Sequence, residues 1–127
     1  MMIDVCPWRR WLWVLLLGPV LALAEPRTAL VVGNAGYRDS PLGNPVNDAR
    51  DVAEALRAME FEVVQRENLD KRGFDAAVSD FARRLKERGG VGLFYYSGHG
   101  AQVKGENYLI PVSAAIASEA DVEYEAV

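Results

Sequence analysis

One imidazole, one carboxylate and a pair of small turn residues are the groups in this 127-residue sequence on which chemistry could rest. His99 is the only histidine, and it ends the stretch Val91-Gly-Leu-Phe-Tyr-Tyr-Ser-Gly-His-Gly100. Its unperturbed pKa lies near neutrality, which suits a general base. Gly98 and Gly100 remove side chains that would crowd the ring, and Gly100 can offer an unobstructed backbone N–H. A lone histidine after a strand also serves simply as a solvated turn residue, and both readings stand at this point. Cys6 is the only cysteine, so residues 25–127 contain no thiol nucleophile, thiolate metal site or disulfide.

The elements that must position His99 follow from the hydrophobic pattern. Val91 to Tyr96 is a continuous apolar run bounded by glycines, which predicts a strand of a parallel sheet covered on both faces. Thr28 to Gly33 predicts a first, central strand. Asn34 to Asn44 is a loop rich in turn residues, read as too polar for the core and placed where loops commonly carry function. Val46, Ala49, Val52, Ala53, Leu56 and Met59 recur at helical spacing over 45–59, with Asn44-Pro45 as cap and first turn. Asp48 in that first turn is favoured by the helix dipole.

Phe61 to Gln65 is the second strand. Phe74, Ala77, Val78, Phe81 and Leu85 mark a second helix ending at Gly89-Gly90. Its Arg83-Arg84-Lys86-Arg88 cluster reads as a solvated face. Strand, helix, strand, helix, strand implies right-handed crossovers and a spatial order 2-1-3. That order brings the loops after strands one and three together, so that Asp48 and His99 would share a cleft. Residues 101–103 and 107–110 flank Lys104-Gly-Glu106 as a hairpin, and Ser118 to Asp121 predicts a capping box opening a further helix.

Arg9 and Arg10, the apolar run 11–24 and Ala22-Leu-Ala24 predict a secretory signal peptide over residues 1–24 and export to the periplasm or beyond the cell. Its fourteen-residue core is shorter than the roughly 20 residues that span a bilayer, so no stable membrane insertion is expected after cleavage. Without it the chain has 12 basic and 17 acidic residues. That balance offers no footprint for nucleic acid.

Tyr95-Tyr-Ser-Gly-His-Gly100, Asn107-Tyr-Leu-Ile-Pro111 and Asn47-Asp-Ala49, in this arrangement, resemble the caspase-like cysteine peptidases of family C14, closest to the bacterial metacaspase-like and orthocaspase branch. The resemblance covers residues 27–127. It implies a three-layer αβα fold with a mainly parallel sheet and a Cys–His dyad that hydrolyses polypeptides. His99 matches the catalytic histidine, Gly100 the glycine whose N–H lines the oxyanion hole, and Asp48 an acidic residue that selects Arg or Lys before the scissile bond. Ser97 would help shape the same substrate pocket.

The nucleophile is expected roughly 50 residues beyond the histidine in this family, whereas 28 residues follow His99 here. The expectation is therefore a truncated N-terminal part of the domain over 25–127, inactive alone. Ser113 stands where calcium-dependent relatives carry an acidic ligand, so neither metal nor cofactor is expected. Two other functions compete with the peptidase: a catalytically inactive caspase-like binding or scaffold module, and a phosphate-binding domain using Gly33-Asn-Ala-Gly36. The latter lacks the remaining residues of a dinucleotide or P-loop fingerprint. Oligomeric state is not legible.

Overall fold

The computed structural model describes residues 23–127. The signal peptide expected over 1–24 therefore lies outside the described residues but for Leu23 and Ala24. Eight elements follow in order: β1 (Arg27–Gly33), α1 (Pro45–Ala58), β2 (Glu62–Glu67), α2 (Lys71–Arg88), β3 (Val91–Ser97), β4 (Gly100–Val103), β5 (Glu106–Leu109) and α3 (Glu119–Glu125). The first three strands form one sheet in the order β2-β1-β3, with both pairings parallel. This is the α/β arrangement and strand order that the hydrophobic pattern implies.

β1 is central because each of its faces is fully covered. Ala29 and Val31 meet Ala49, Ala53 and Leu56 of α1, while Leu30 and Val32 meet Phe74 and Ala77 of α2. The helices thus lie on opposite faces of the sheet, as parallel crossovers require. Gly33 lets α1 start close against the strand, since a Cβ there would lie 2.5 Å from the Pro45 carbonyl oxygen and 2.7 Å from Ala49 Cβ.

β3 departs from the expectation of a strand covered on both faces. Among the described residues β1 is its only strand neighbour, and Val91 and Phe94 stay 43% and 44% exposed. Its apolar run packs on both faces but only in part, Leu93 and Tyr95 toward α1 and Tyr96 toward α2. An open edge of this kind is a template for further strand pairing. The loop after β1 also departs from its reading, because Asn34 is fully buried and Tyr37 nearly so.

Helix ends are set locally. Asp70 accepts from Gly73 N at 2.7 Å and caps α2, whereas Asn44 makes no side-chain cap bond and α1 begins with Pro45 at its first turn. The basic residues late in α2 are engaged on the surface: Arg84 with Asp80 and Glu62, Arg83 with Asp80 and Glu87, and Arg88 with Glu62. β4 and β5 form the expected antiparallel hairpin. Ser118 and Asp121 form the capping box of α3, which ends at Ala126, and Val127 exchanges backbone hydrogen bonds with Leu109. No helix among the described residues is long and apolar enough to cross a membrane.

Candidate active site

His99 leaves β3 two residues past Ser97 and stands at the carboxyl end of the sheet, where open α/β sheets form sites. Its ring is fixed from the loop after β1. Nε2 lies 2.8 Å from the Ser40 carbonyl oxygen, and since a carbonyl can only accept, the proton of the neutral ring sits on Nε2. Nδ1 then carries the lone pair, and among the described residues Nε2 is the ring nitrogen that is engaged. The Tyr37 ring packs against the imidazole at 4.4 Å between centroids, tilted by 58°.

The backbone of His99 is held as firmly as its ring. Its N–H donates to the Tyr37 hydroxyl at 2.9 Å, and its carbonyl accepts from the Tyr96 hydroxyl at 2.7 Å and from Ile110 N at 3.0 Å. The two tyrosine hydroxyls lie 3.0 Å apart, and both reach the Ile110 carbonyl, at 2.9 Å from Tyr37 and 3.0 Å from Tyr96. Burial, reinforced by the hydrogen bond with Tyr37, pushes the Tyr96 phenol well above its ordinary value, so it remains a donor. Gly98 is required by this cluster and not by an approaching ligand, because a Cβ there would strike the Tyr96 hydroxyl and come within 2.7 Å of that of Tyr37.

Gly100 is different. A Cβ there would meet nothing closer than the Tyr108 carbonyl oxygen at 3.4 Å. The Ile110 N to His99 carbonyl bond makes 99 and 110 a hydrogen-bonded pair of the hairpin. Antiparallel pairs alternate, so the next pair, Gly100 and Leu109, is non-bonded and both N–H groups point outward. Leu109 N–H accordingly goes to the Val127 carbonyl at 2.8 Å. The N–H of Gly100 points away from β5, as an oxyanion donor must.

A cleft of about 320 Å³ opens beside the imidazole. It is lined by Tyr37, Arg38, Asp39 and Ser40 of the loop after β1, by His99, Gly100 and Ala101, and by Ile110, Val112, Ala114 and Ile116 of the segment after β5. Asp48 does not line it. That residue is exposed in the first turn of α1, on the sheet face opposite α2. Ser97 is also outside the lining: it pairs with Gly33 at the end of β3, and its carbonyl accepts from Asn34 N at 2.8 Å. The topology thus brings His99 and Gly100 into one cleft and leaves Asp48 and Ser97 outside it.

The caspase-domain model of the Peptidase C14 family matches residues 26–123. The chain belongs to this family. It is also 37% identical over 93 residues to mucosa-associated lymphoid tissue lymphoma translocation protein 1 of Homo sapiens, and 36% identical over 93 residues to its Mus musculus homolog. Those matches cover 72% of this chain and 11% of each relative.

The Gly33-Asn-Ala-Gly36 turn does not cradle phosphate. Ala35 N and Gly36 N both donate to Asn68 Oδ1 at 2.9 Å, and Asn34 N is used by Ser97. The N–H groups that an anion would need are already bonded within the fold. Four participants escaped the sequence reading: the Ser40 carbonyl, Tyr37, Asn34 and Asn68. A backbone carbonyl has no residue-type signature. Asn34 binds Leu69 N at 2.9 Å and the Ile110 carbonyl at 3.4 Å, a bridging role that only the tertiary contacts reveal.

Proposed function

We propose that this chain carries the histidine-bearing part of a caspase-like cysteine endopeptidase that cleaves polypeptides after Arg or Lys. The observation that carries the reading is the hydrogen bond from His99 Nε2 to the Ser40 carbonyl, which leaves Nδ1 as a base. A cysteine thiol brought to Nδ1 would lose its proton there, and the resulting imidazolium would be stabilised through Nε2–H by that carbonyl. The thiolate would attack the substrate carbonyl carbon while Gly100 N–H donates to the oxygen that becomes negative. One such donor contributes roughly 3 kcal/mol to lowering an acyl-transfer barrier. His99 would then return the proton to the leaving amine.

The thiol is not among residues 25–127, since Cys6 is the only cysteine of the sequence. We place it in an Asp-x-Cys turn encoded beyond Val127, on a strand added at the open edge of β3. Asp48 is the proposed carboxylate for the basic residue of the substrate, with Ser97 helping to shape the pocket on that side. This assignment favours the metacaspase-like branch of the family. Arg9-Arg10 and the apolar run after them support export of the product.

Reading the frame past the codon for Val127 and assaying its product on Arg and Lys peptides tests the proposal. Thiol-sensitive cleavage after Arg or Lys, abolished by His99→Ala, is expected. Cleavage after Asp would remove the role of Asp48. A frame without the cysteine would favour the second reading, an inactive caspase-like binding module.

A further inference from the structure

We infer that the cleft beside His99 is the leaving-side subsite of the substrate and selects an apolar residue immediately after the scissile bond. The inference rests on the peptidase reading above and assigns a role to the apolar lining beside His99, which that reading does not use. The imidazolium that protonates the leaving amine must stand next to it, and His99 lines the cleft. Gly100 lines it as well, which on this inference puts the scissile carbonyl at its edge and the chain beyond the bond within it. Asp48, the carboxylate proposed for the residue before the bond, is on α1 and contributes nothing to the cleft. The two sides of the scissile bond therefore meet different parts of the surface.

The chemistry of the wall sets the preference. Ile110, Val112, Ala114 and Ile116 present one apolar side in the segment that follows β5. Ile110, Val112 and Ala114 pack into the small core beneath. Ile116 belongs to none of the buried clusters and remains 39% exposed. An aliphatic side chain entering the cleft would cover it and remove apolar surface from water on both partners. Arg38 and Asp39 also line the cleft, with no ion-pair partner among the described residues and one of each sign. They give no net charge to draw an acidic or basic side chain into the cleft.

The test uses the full chain with ¹³C-labelled isoleucine methyl groups. The sequence has three isoleucines, and Ile110 and Ile116 both line the cleft. Three blocked pentapeptides serve as probes: Ala-Ala-Arg-Leu-Ala, Ala-Ala-Arg-Asp-Ala, and Ala-Leu-Arg-Ala-Ala. All three are expected to shift the imidazole signals of His99, the single histidine. Only the first is expected to shift the Ile110 and Ile116 methyls, and to bind roughly tenfold tighter than the second, a ratio that one buried aliphatic side chain supports. Ile116→Asp, at an exposed position, should fold normally and lose that ratio.

Equal methyl shifts and equal affinities for the first two peptides, with His99 responding to both, would overturn the subsite and leave the peptidase reading intact. Methyl shifts with the third peptide alone would reverse its orientation and so refute it. No response of His99 to any of the three would remove the peptide site itself, and the subsite with it.

Discussion

Replacing Tyr37 by Phe removes one hydroxyl and keeps the ring against the imidazole, so it isolates what that hydroxyl does for His99. The oxygen accepts from His99 N at 2.9 Å and lies 2.9 Å from the Ile110 carbonyl and 3.0 Å from the Tyr96 hydroxyl. Two of these partners are covered after the change. The Ile110 carbonyl keeps Asn34 Nδ2 at 3.4 Å, and the one proton of the Tyr96 hydroxyl is shared between the His99 carbonyl at 2.7 Å and the Ile110 carbonyl at 3.0 Å. The His99 N–H has no second partner among the described residues and is left unsatisfied in a half-buried position.

The loss therefore lies between one net hydrogen bond and one unsatisfied donor, about 1–2 kcal/mol. In a domain of this size that corresponds to a fall in Tm of roughly 5–15 °C. Urea unfolding followed by circular dichroism measures the difference, and amide exchange at His99 localises it. An unchanged midpoint together with unchanged protection of the His99 amide would refute the reasoning, because the hydroxyl would then hold nothing.

Three further outcomes follow from contacts elsewhere. Gly98→Ala pushes a methyl into both tyrosine hydroxyls, and should destabilise by about 1–3 kcal/mol while changing the His99 imidazole spectrum; thermal melts and NMR read both. Gly33→Ala forces its Cβ onto the backbone at Pro45 and onto Ala49, which cannot give way independently of α1, so a loss near the upper end of about 1–3 kcal/mol is expected in urea titration. The Arg50 hydrogen bond holds the Glu67 carboxyl below its ordinary 4.5. Its contribution is complete above that value and is lost as the pH falls through the depressed folded value, so Arg50→Ala should flatten the acid limb of stability against pH, with a smaller effect in high salt because the pair is largely exposed.

The sheet was legible because its determinants are local. β1 reads as central from Ala29 to Val32 alone, and the two amphipathic helices announce which residues face it. Strand order followed from the alternation of elements and the handedness of their crossovers. The covering of β3 was not legible, because a run such as Leu93 to Tyr96 looks the same whether its faces are covered fully or only in part. The site was legible only where side-chain type carries the chemistry. His99 and Gly100 could be named, but the Ser40 carbonyl that orients the ring has no signature, and it is delivered by a loop whose buried Asn34 and Tyr37 look like ordinary turn residues. Gly98 reads as relief of crowding at the ring, whereas the space is filled by tyrosine hydroxyls from 59 residues apart in the chain.

The central claim is that His99 is held with its proton on Nε2 and its lone pair on Nδ1, ready to take a proton from a thiol. Because the chain has one histidine, the ¹⁵N spectrum of its neutral imidazole tests this without ambiguity of assignment. The account predicts a protonated Nε2 and an unprotonated Nδ1, with Nε2–H protected from exchange by the Ser40 carbonyl. A ring protonated on Nδ1, or one averaging freely between the two forms, would contradict it.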